Sequence, residues 1–299
     1  MRRKFYTLDV FTETALTGNG LAVVLDCEGL DDQRMQAIAR EFNQAETVFV
    51  FDPRDAVNTA RLRIFTPGRE LPFAGHPTVG AAVLLAQLRA PELLARQDLR
   101  VVVEEAVGDI VCVARHRPNQ APAAYFTLPK LPEAIGEAPP SEALAQGLGL
   151  EPADIGFGDH HPTAYSAGTP FTFVPLSNRA ALARARPNAN VWGENGGPAV
   201  FLYTNEAERE GSSFRARMFA SGWGIVEDPA TGSAAAAFAG VLMRFQSPGD
   251  GETTYVIEQG FEMGRPSLIS LGLDVDSGIL REAAIGGSAV IVSEGTINV

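Results

Sequence analysis

The chain has 299 residues, 45% hydrophobic and 20% charged, a balance that suits a folded soluble protein of two domains with ample core. A formal net charge of -12 makes the average surface repel phosphate backbones and anionic bilayers, so neither nucleic acid nor membrane is expected as a partner. Lys4 and Lys130 are the only lysines. Neither sits in a glycine-rich motif, which argues against Schiff-base chemistry and a Walker-type phosphate site.

In chain order, the N-terminus is basic and then apolar. Asp9 and Thr12 interrupt it before a signal-type hydrophobic run forms, so it reads as a first strand. Cys27 and Cys112 are the only cysteines and form neither CxxC spacing nor a disulfide framework. That pattern points to a reducing compartment and gives no support to structural zinc. Residues 47–51 and 61–66, rich in Phe, Val, Ile and Thr, read as strands joined across Asp52-Pro53-Arg54-Asp55. Residues 77–88 are apolar nearly all round, the pattern of a helix enclosed by other elements. A Pro-rich junction, Arg117-Pro118-Asn119-Gln120-Ala121-Pro122, marks an expected boundary between an N-terminal half, 1–118, and a C-terminal half, 119–288. Segments 131–155 and 177–198 read as peripheral turns with one short helix, and 234–243 is a second all-round apolar helix. The final stretch, Ser288–Val299, reads as a strand that crosses back, so that 289–299 joins the first half. The longest apolar segments are about half of the roughly 20 residues a membrane helix requires. A cytoplasmic location is expected.

The chain repeats itself once. Arg61-Leu-Arg-Ile-Phe65 is echoed by Arg215-Ala-Arg-Met-Phe219, an offset of 215 minus 61, or 154, and Val102-Val-Glu104 by Val256-Ile-Glu258 at the same offset. Between them, Glu70-Leu-Pro-Phe-Ala-Gly75 matches Glu227-Asp-Pro-Ala-Thr-Gly232, offset 227 minus 70, or 157. Upstream, Val48-Phe-Val-Phe51 resembles Val200-Phe-Leu-Tyr203. A repeat in this order implies an α+β fold of two pseudo-symmetric halves, each a curved, mostly antiparallel sheet around a central helix.

Each central helix is expected to begin just after a glycine, in Gly75-His76-Pro77-Thr78 and in Thr231-Gly232-Ser233. Helix N-termini carry free N–H groups and partial positive charge, so Gly75, Thr231, Gly232 and Ser233 are candidates for holding a substrate carboxylate. Simple helix capping is the alternative use of such residues. His76 stands where a ring could move a proton or hold a carboxyl group. Glu46, in Asn43-Gln-Ala-Glu46, directly precedes an apolar strand. It is either a desolvated carboxyl with a raised pKa, suited to proton transfer, or a solvated strand-edge glutamate. Asp228, before Pro229, is either a site residue or a turn former. His160-His161 has no carboxylate or third ligand at metal-binding spacing, so no metal is expected.

Taken together, YTLDVFTETALTGNGLAVVLD, NQAETVFV, RIFTPGRELPFAGHPTVGAA, VEDPATGSAA, EQGFEMGRPS and IGGSAVIVSEGTI resemble the PhzF-like phenazine-biosynthesis family, related in fold to diaminopimelate epimerase. The resemblance spans nearly the whole chain. It implies a cofactor-free homodimeric isomerase with Glu46 as general acid/base and with His76, Asp228 and Ser233 as site residues. The epimerases keep a thiol just before each helix-start glycine. Ala74 and Thr231 stand there in this chain, so two-thiol racemisation is excluded. Gly18-Asn19-Gly20 departs from the family's usual proline after asparagine and leaves the local loop geometry open. The expected activity is proton abstraction from, and return to, a small carboxylate through Glu46. The alternatives are a non-catalytic small-molecule binder and hydrolysis by Ser233 with His76, which lacks a GxSxG elbow.

Overall fold

A computed structural model of the chain describes residues 2–193 and 196–299. Two compact units divide it, Met1–Pro129 with Gly286–Val299, and Lys130–Ile285. The division falls after Pro129 and not after residue 118, because the Pro-rich junction is followed by one more strand of the first unit.

The first unit contains β1 (Arg2–Val10), β2 (Asn19–Val24), β3 (Glu46–Phe51), β4 (Ala60–Phe65), a short β5 (Glu70–Leu71), β6 (Leu99–Glu105), β7 (Gly108–Arg115) and β8 (Ala123–Thr127). Its helices are α1 (Asp32–Phe42), α2 (Gly75–Arg89) and α3 (Pro91–Leu94). The second unit contains β9 (Glu133–Ala134), β10 (Thr163–Ser166), β11 (Pro170–Pro175), β12 (Val200–Thr204), β13 (Phe214–Ala220), β14 (Ile225–Asp228), β15 (Gly251–Gln259) and β16 (Ser267–Asp276). Its helices are α4 (Ser141–Leu148), α5 (Arg179–Arg184), α6 (Ala189–Trp192) and α7 (Gly232–Phe245). Among the described residues, the segments expected to hold one short helix therefore hold three α-helices and one turn of 3-10 helix, Pro152–Asp154. The final strand, β17 (Ile279–Asn298), begins in the second unit and continues through the first.

In the first unit, pairing runs β17–β1–β2–β3–β4–β6–β7–β8 and returns to β17, a closed barrel of eight strands with β5 flanking β4. The β2–β3 and β4–β6 pairs are parallel, while β1–β2, β3–β4, β6–β7, β7–β8 and β1–β17 are antiparallel. Closure leaves no open edge among the eight. The barrel encloses α2, whose residues Gly75–Ala86 are all buried. A helix apolar on every side has no other stable place.

The second unit repeats the plan. β9–β10–β11 is antiparallel, β11–β12 parallel, β12–β13 antiparallel, β13–β15 parallel and β15–β16 antiparallel. The chain then turns through Ser277 and Gly278, both at positive φ, which suits the twist of a tight hairpin. Helix α7 packs against β9, β10, β11 and β16, with Ala234–Leu242 buried. Matching sequence has become matching hydrogen bonds. The Glu104 carboxylate accepts the amides of Arg54 and Asp55 at 2.9 and 2.8 Å, and the Glu258 carboxylate accepts those of Glu208 and Arg209 at 2.9 and 2.6 Å. All three pairs lie 154 residues apart. Each glutamate ties the turn between two strands to a third strand. Bonds from Asp55 and Arg54 hold the Glu104 carboxyl below its ordinary range.

Candidate active site

Both helix mouths are delivered by an arginine fork. Arg63 on β4 donates Nε and Nη2 to the two carboxylate oxygens of Glu70, each at 2.6 Å, and Nη1 to Asp32 at 2.7 Å. Arg217 on β13 does the same with Glu227, at 2.8 and 2.9 Å. Its third nitrogen donates to the carbonyls of Leu182 and Ala185. Bidentate pairing fixes orientation as well as distance. Glu70 and Glu227 each open the six-residue turn that ends at the helix-start glycine, so the forks set where α2 and α7 begin. The helices start at Gly75 and Gly232, and their N-cap residues, Ala74 and Thr231, make no side-chain cap hydrogen bond.

In the first unit, β3 begins at Glu46 and α2 carries His76 in its first turn. His76 Nε2 and Glu46 Oε2 stand 3.2 Å apart, with 6% and 15% of the side chains exposed. They face each other without the alignment of a hydrogen bond. Burial lowers the imidazole pKa to about 3, against a weaker upward pull from a hydrogen bond with the Gly20 backbone. His76 is thus a neutral ring at physiological pH, and its contact with Glu46 is not an ion pair. Asn19 and Gly20 are strand residues of β2, paired with Val10 and Asp9, and Leu21 registers against Glu46. Of the segment whose loop geometry the sequence left open, Asn19 and Gly20 are regular strand, while Gly18 lies in the bend before it at φ +68. Glycine at 20 leaves room for Gln44, whose Oε1 would lie 2.3 Å from an added Cβ.

In the second unit, Asp228 ends β14 and accepts a 2.6 Å hydrogen bond from Thr231 Oγ1. Gln259 braces the same turn, donating to Thr231 Oγ1 at 3.0 Å and to the Asp228 carbonyl at 2.8 Å while accepting the Thr231 amide at 3.1 Å. Ser233 is half-buried in the first turn of α7, in the position that His76 holds in α2 (233 minus 76 is 157). Glu46 has Pro198 as its counterpart by the 152-residue offset of β3 to β12. The carboxyl–imidazole pair belongs to one half only.

The remaining sequence candidates are engaged elsewhere. His160 bonds Tyr203 and Gln246 at 2.9 Å each and stacks on Phe157, and His161 meets Arg244. Among the described residues, no three His, Cys, Asp or Glu side chains form a metal-binding group. Cys27 and Cys112 are both buried, and burial pushes the Cys27 thiol up to about 12. Sequence reasoning overlooked the Arg63–Glu70 and Arg217–Glu227 forks and Gln259, although the repeat aligns both members of each fork.

Two units that each wrap a curved sheet around a central helix, the first as a closed eight-stranded barrel, have the diaminopimelate epimerase-like fold. The family model described as PhzC-PhzF, phenazine biosynthesis-like protein, matches residues 8–295. The chain belongs to this family. Among PhzF-family relatives, an uncharacterized isomerase of Mesorhizobium japonicum is 46% identical, covering 99% of this chain and 98% of the relative. The trans-2,3-dihydro-3-hydroxyanthranilate isomerase of Pseudomonas aeruginosa is 32% identical, covering 98% of each. The solved PhzF-family phenazine biosynthesis protein of Bacillus anthracis aligns over the full length of both chains, with a TM-score of 0.87 at 28% identity. This PhzF-family chain is an isomerase. No helix among its described residues is long and apolar enough to cross a membrane.

Proposed function

We propose that the chain isomerises a small carboxylate without a cofactor, with Glu46 removing a proton from a carbon beside a carbonyl or conjugated group and returning it elsewhere on the same molecule. The observation that carries this reading is the Glu46–His76 pair, 3.2 Å apart and largely buried at the start of a barrel-enclosed helix. A neutral imidazole beside the carboxyl leaves Glu46 as the group that takes and gives the proton, while His76 orients it or passes the proton on. Asp228 is assigned a lesser tuning role, and Gly75, Thr231, Gly232 and Ser233 the holding of the substrate carboxylate by helix-mouth N–H groups. The Pseudomonas relative, by its name, acts on trans-2,3-dihydro-3-hydroxyanthranilate, a carboxylate with conjugated carbon–carbon bonds, which places that compound first among substrates to try. A cytoplasmic homodimer completes the reading.

The test is incubation of that compound and a panel of unsaturated and keto carboxylates with the protein in D2O, followed by proton NMR. Isomerisation, or deuterium entering a carbon position of one compound, supports the reading. Tight binding of a carboxylate with neither outcome makes the chain a binder and defeats it.

A further inference from the structure

The most deeply buried carboxyl near the α2 mouth is not Glu46 but Glu105, the last residue of β6. Its side chain meets α2 one turn in. Thr78 Oγ1 stands 2.7 Å from Glu105 Oε1 and 2.8 Å from the carbonyl oxygen of Ala74, the N-cap of α2. From this geometry we infer that Glu105 is a positioning residue, a neutral acid that donates its proton to Thr78 and so locks the turn carrying His76.

The hydrogen count requires it. A threonine hydroxyl has one hydrogen, and two oxygens at 2.7 and 2.8 Å from it each need one. If Thr78 donates to the Ala74 carbonyl, the hydrogen on the other side comes from Glu105. The opposite assignment leaves Thr78 and Ala74 facing each other through lone pairs. The second carboxyl oxygen, Oε2, is buried without a hydrogen-bond partner, an arrangement an ionised carboxylate tolerates poorly and a protonated one well. The repeat supplies independent support. Residue 105 plus 154 is 259, and Gln259 holds the α7 mouth as a permanently neutral donor to Thr231 and Asp228. Both halves place an uncharged hydrogen-bond donor at the end of the matched strand.

The surroundings agree. Burial raises the Glu105 pKa from 4.5 to about 8, and a bond in which the acid is the donor favours the protonated form as well. Of the neighbouring elements, β7 contributes Cys112, a thiol kept neutral by burial beside the same carboxyl. On β4, Arg61 places its guanidinium over the Phe51 ring. Because the folded pKa lies above the unfolded one, the stability linked to Glu105 is complete below pH 4.5 and is lost as pH rises through 8. The link from this latch to turnover rests on the function proposed above; the protonation state does not.

The experiment is carbon NMR of protein labelled at glutamate side-chain carboxyls, with histidine ring resonances recorded alongside, on wild type, Glu105→Gln and Glu105→Leu. Glu105 is expected to be protonated at pH 7 and to titrate near pH 8. Glu105→Gln should keep the His76 ring resonances and remove the fall in melting temperature between pH 5 and 9 that is assigned to this group. Glu105→Leu should move the His76 resonances, because it fills the space without a donor. A Glu105 carboxyl already ionised at pH 7 overturns the inference, as does a Gln variant that keeps the alkaline loss or a Leu variant that leaves His76 unmoved. Absence of isomerase activity in the wild type would count against the proposed function and leave these readings intact.

Discussion

The neutral state of His76 makes the fold sensitive to acid by a calculable amount. Its pKa falls from 6.5 to about 3 in the folded chain, so the folded state holds fewer protons than the unfolded one between those values. Stability linked to His76 is complete above pH 6.5 and is lost as pH falls toward 3. At pH 5 the unfolded ring is favoured by protonation about 30-fold, while the folded ring remains neutral, which costs roughly 2 kcal/mol. That figure barely depends on how far below 5 the folded pKa lies. Replacement by glutamine removes the titrating group but preserves a polar side chain. Urea unfolding of wild type and His76→Gln at pH 7.5 and pH 5.0 gives the quantity required, since groups away from His76 that titrate in this range contribute to both proteins and cancel. The wild type should lose about 2 kcal/mol more than the variant on acidification. Equal losses would mean that Glu46 holds a proton on the ring, and the neutral-imidazole account would be wrong.

Three further outcomes follow from the packing and the site. Gly80→Ala should destabilise by about 1–3 kcal/mol by chemical denaturation, despite alanine's better helix propensity. Its Cβ would lie 2.5 Å from Leu21 Cδ2 and 2.8 Å from Val10 Cγ2, both on fully buried residues; a neutral effect would show that the barrel interior is looser than described. Arg217→Ala, which strands the Glu227 carboxylate, should cost roughly 3–5 kcal/mol. Arg281→Ala, whose partner Asp276 is exposed, should cost less than about 1 kcal/mol in the same assay, and similar values for the two would remove the fork's claimed role. Glu46→Gln should keep the wild-type melting temperature within a few degrees; a large drop would make Glu46 a structural residue.

The fold was legible where the repeat and side-chain pattern carried it. Residues 77–88 and 234–243 announced enclosed helices because their apolar residues cover every face, and α2 and α7 are the enclosed helices. The division of the chain was less legible. Arg117–Pro122 has the composition of a linker, yet it is a bend between β7 and β8, and the β8–β17 pairing that completes the barrel joins residues more than 150 apart in sequence. Nothing local encodes that pairing. At the site, Glu46 and His76 could be named from their motifs, but their approach depends on where β3 lies beside α2. Glu105 went unnoticed because Val-Val-Val-Glu-Glu reads as a strand ending in two solvated acids. Glu104 instead caps a turn while Glu105 points to the enclosed helix, as alternation along a strand requires.

The most direct test of Glu46 as the proton carrier is the rate at which deuterium enters the substrate's carbon skeleton, or at which the isomer forms, for wild type and Glu46→Gln under saturating substrate. The account predicts a loss of about 10²- to 10⁴-fold in the variant with its fold intact. Equal rates in the two proteins would contradict it.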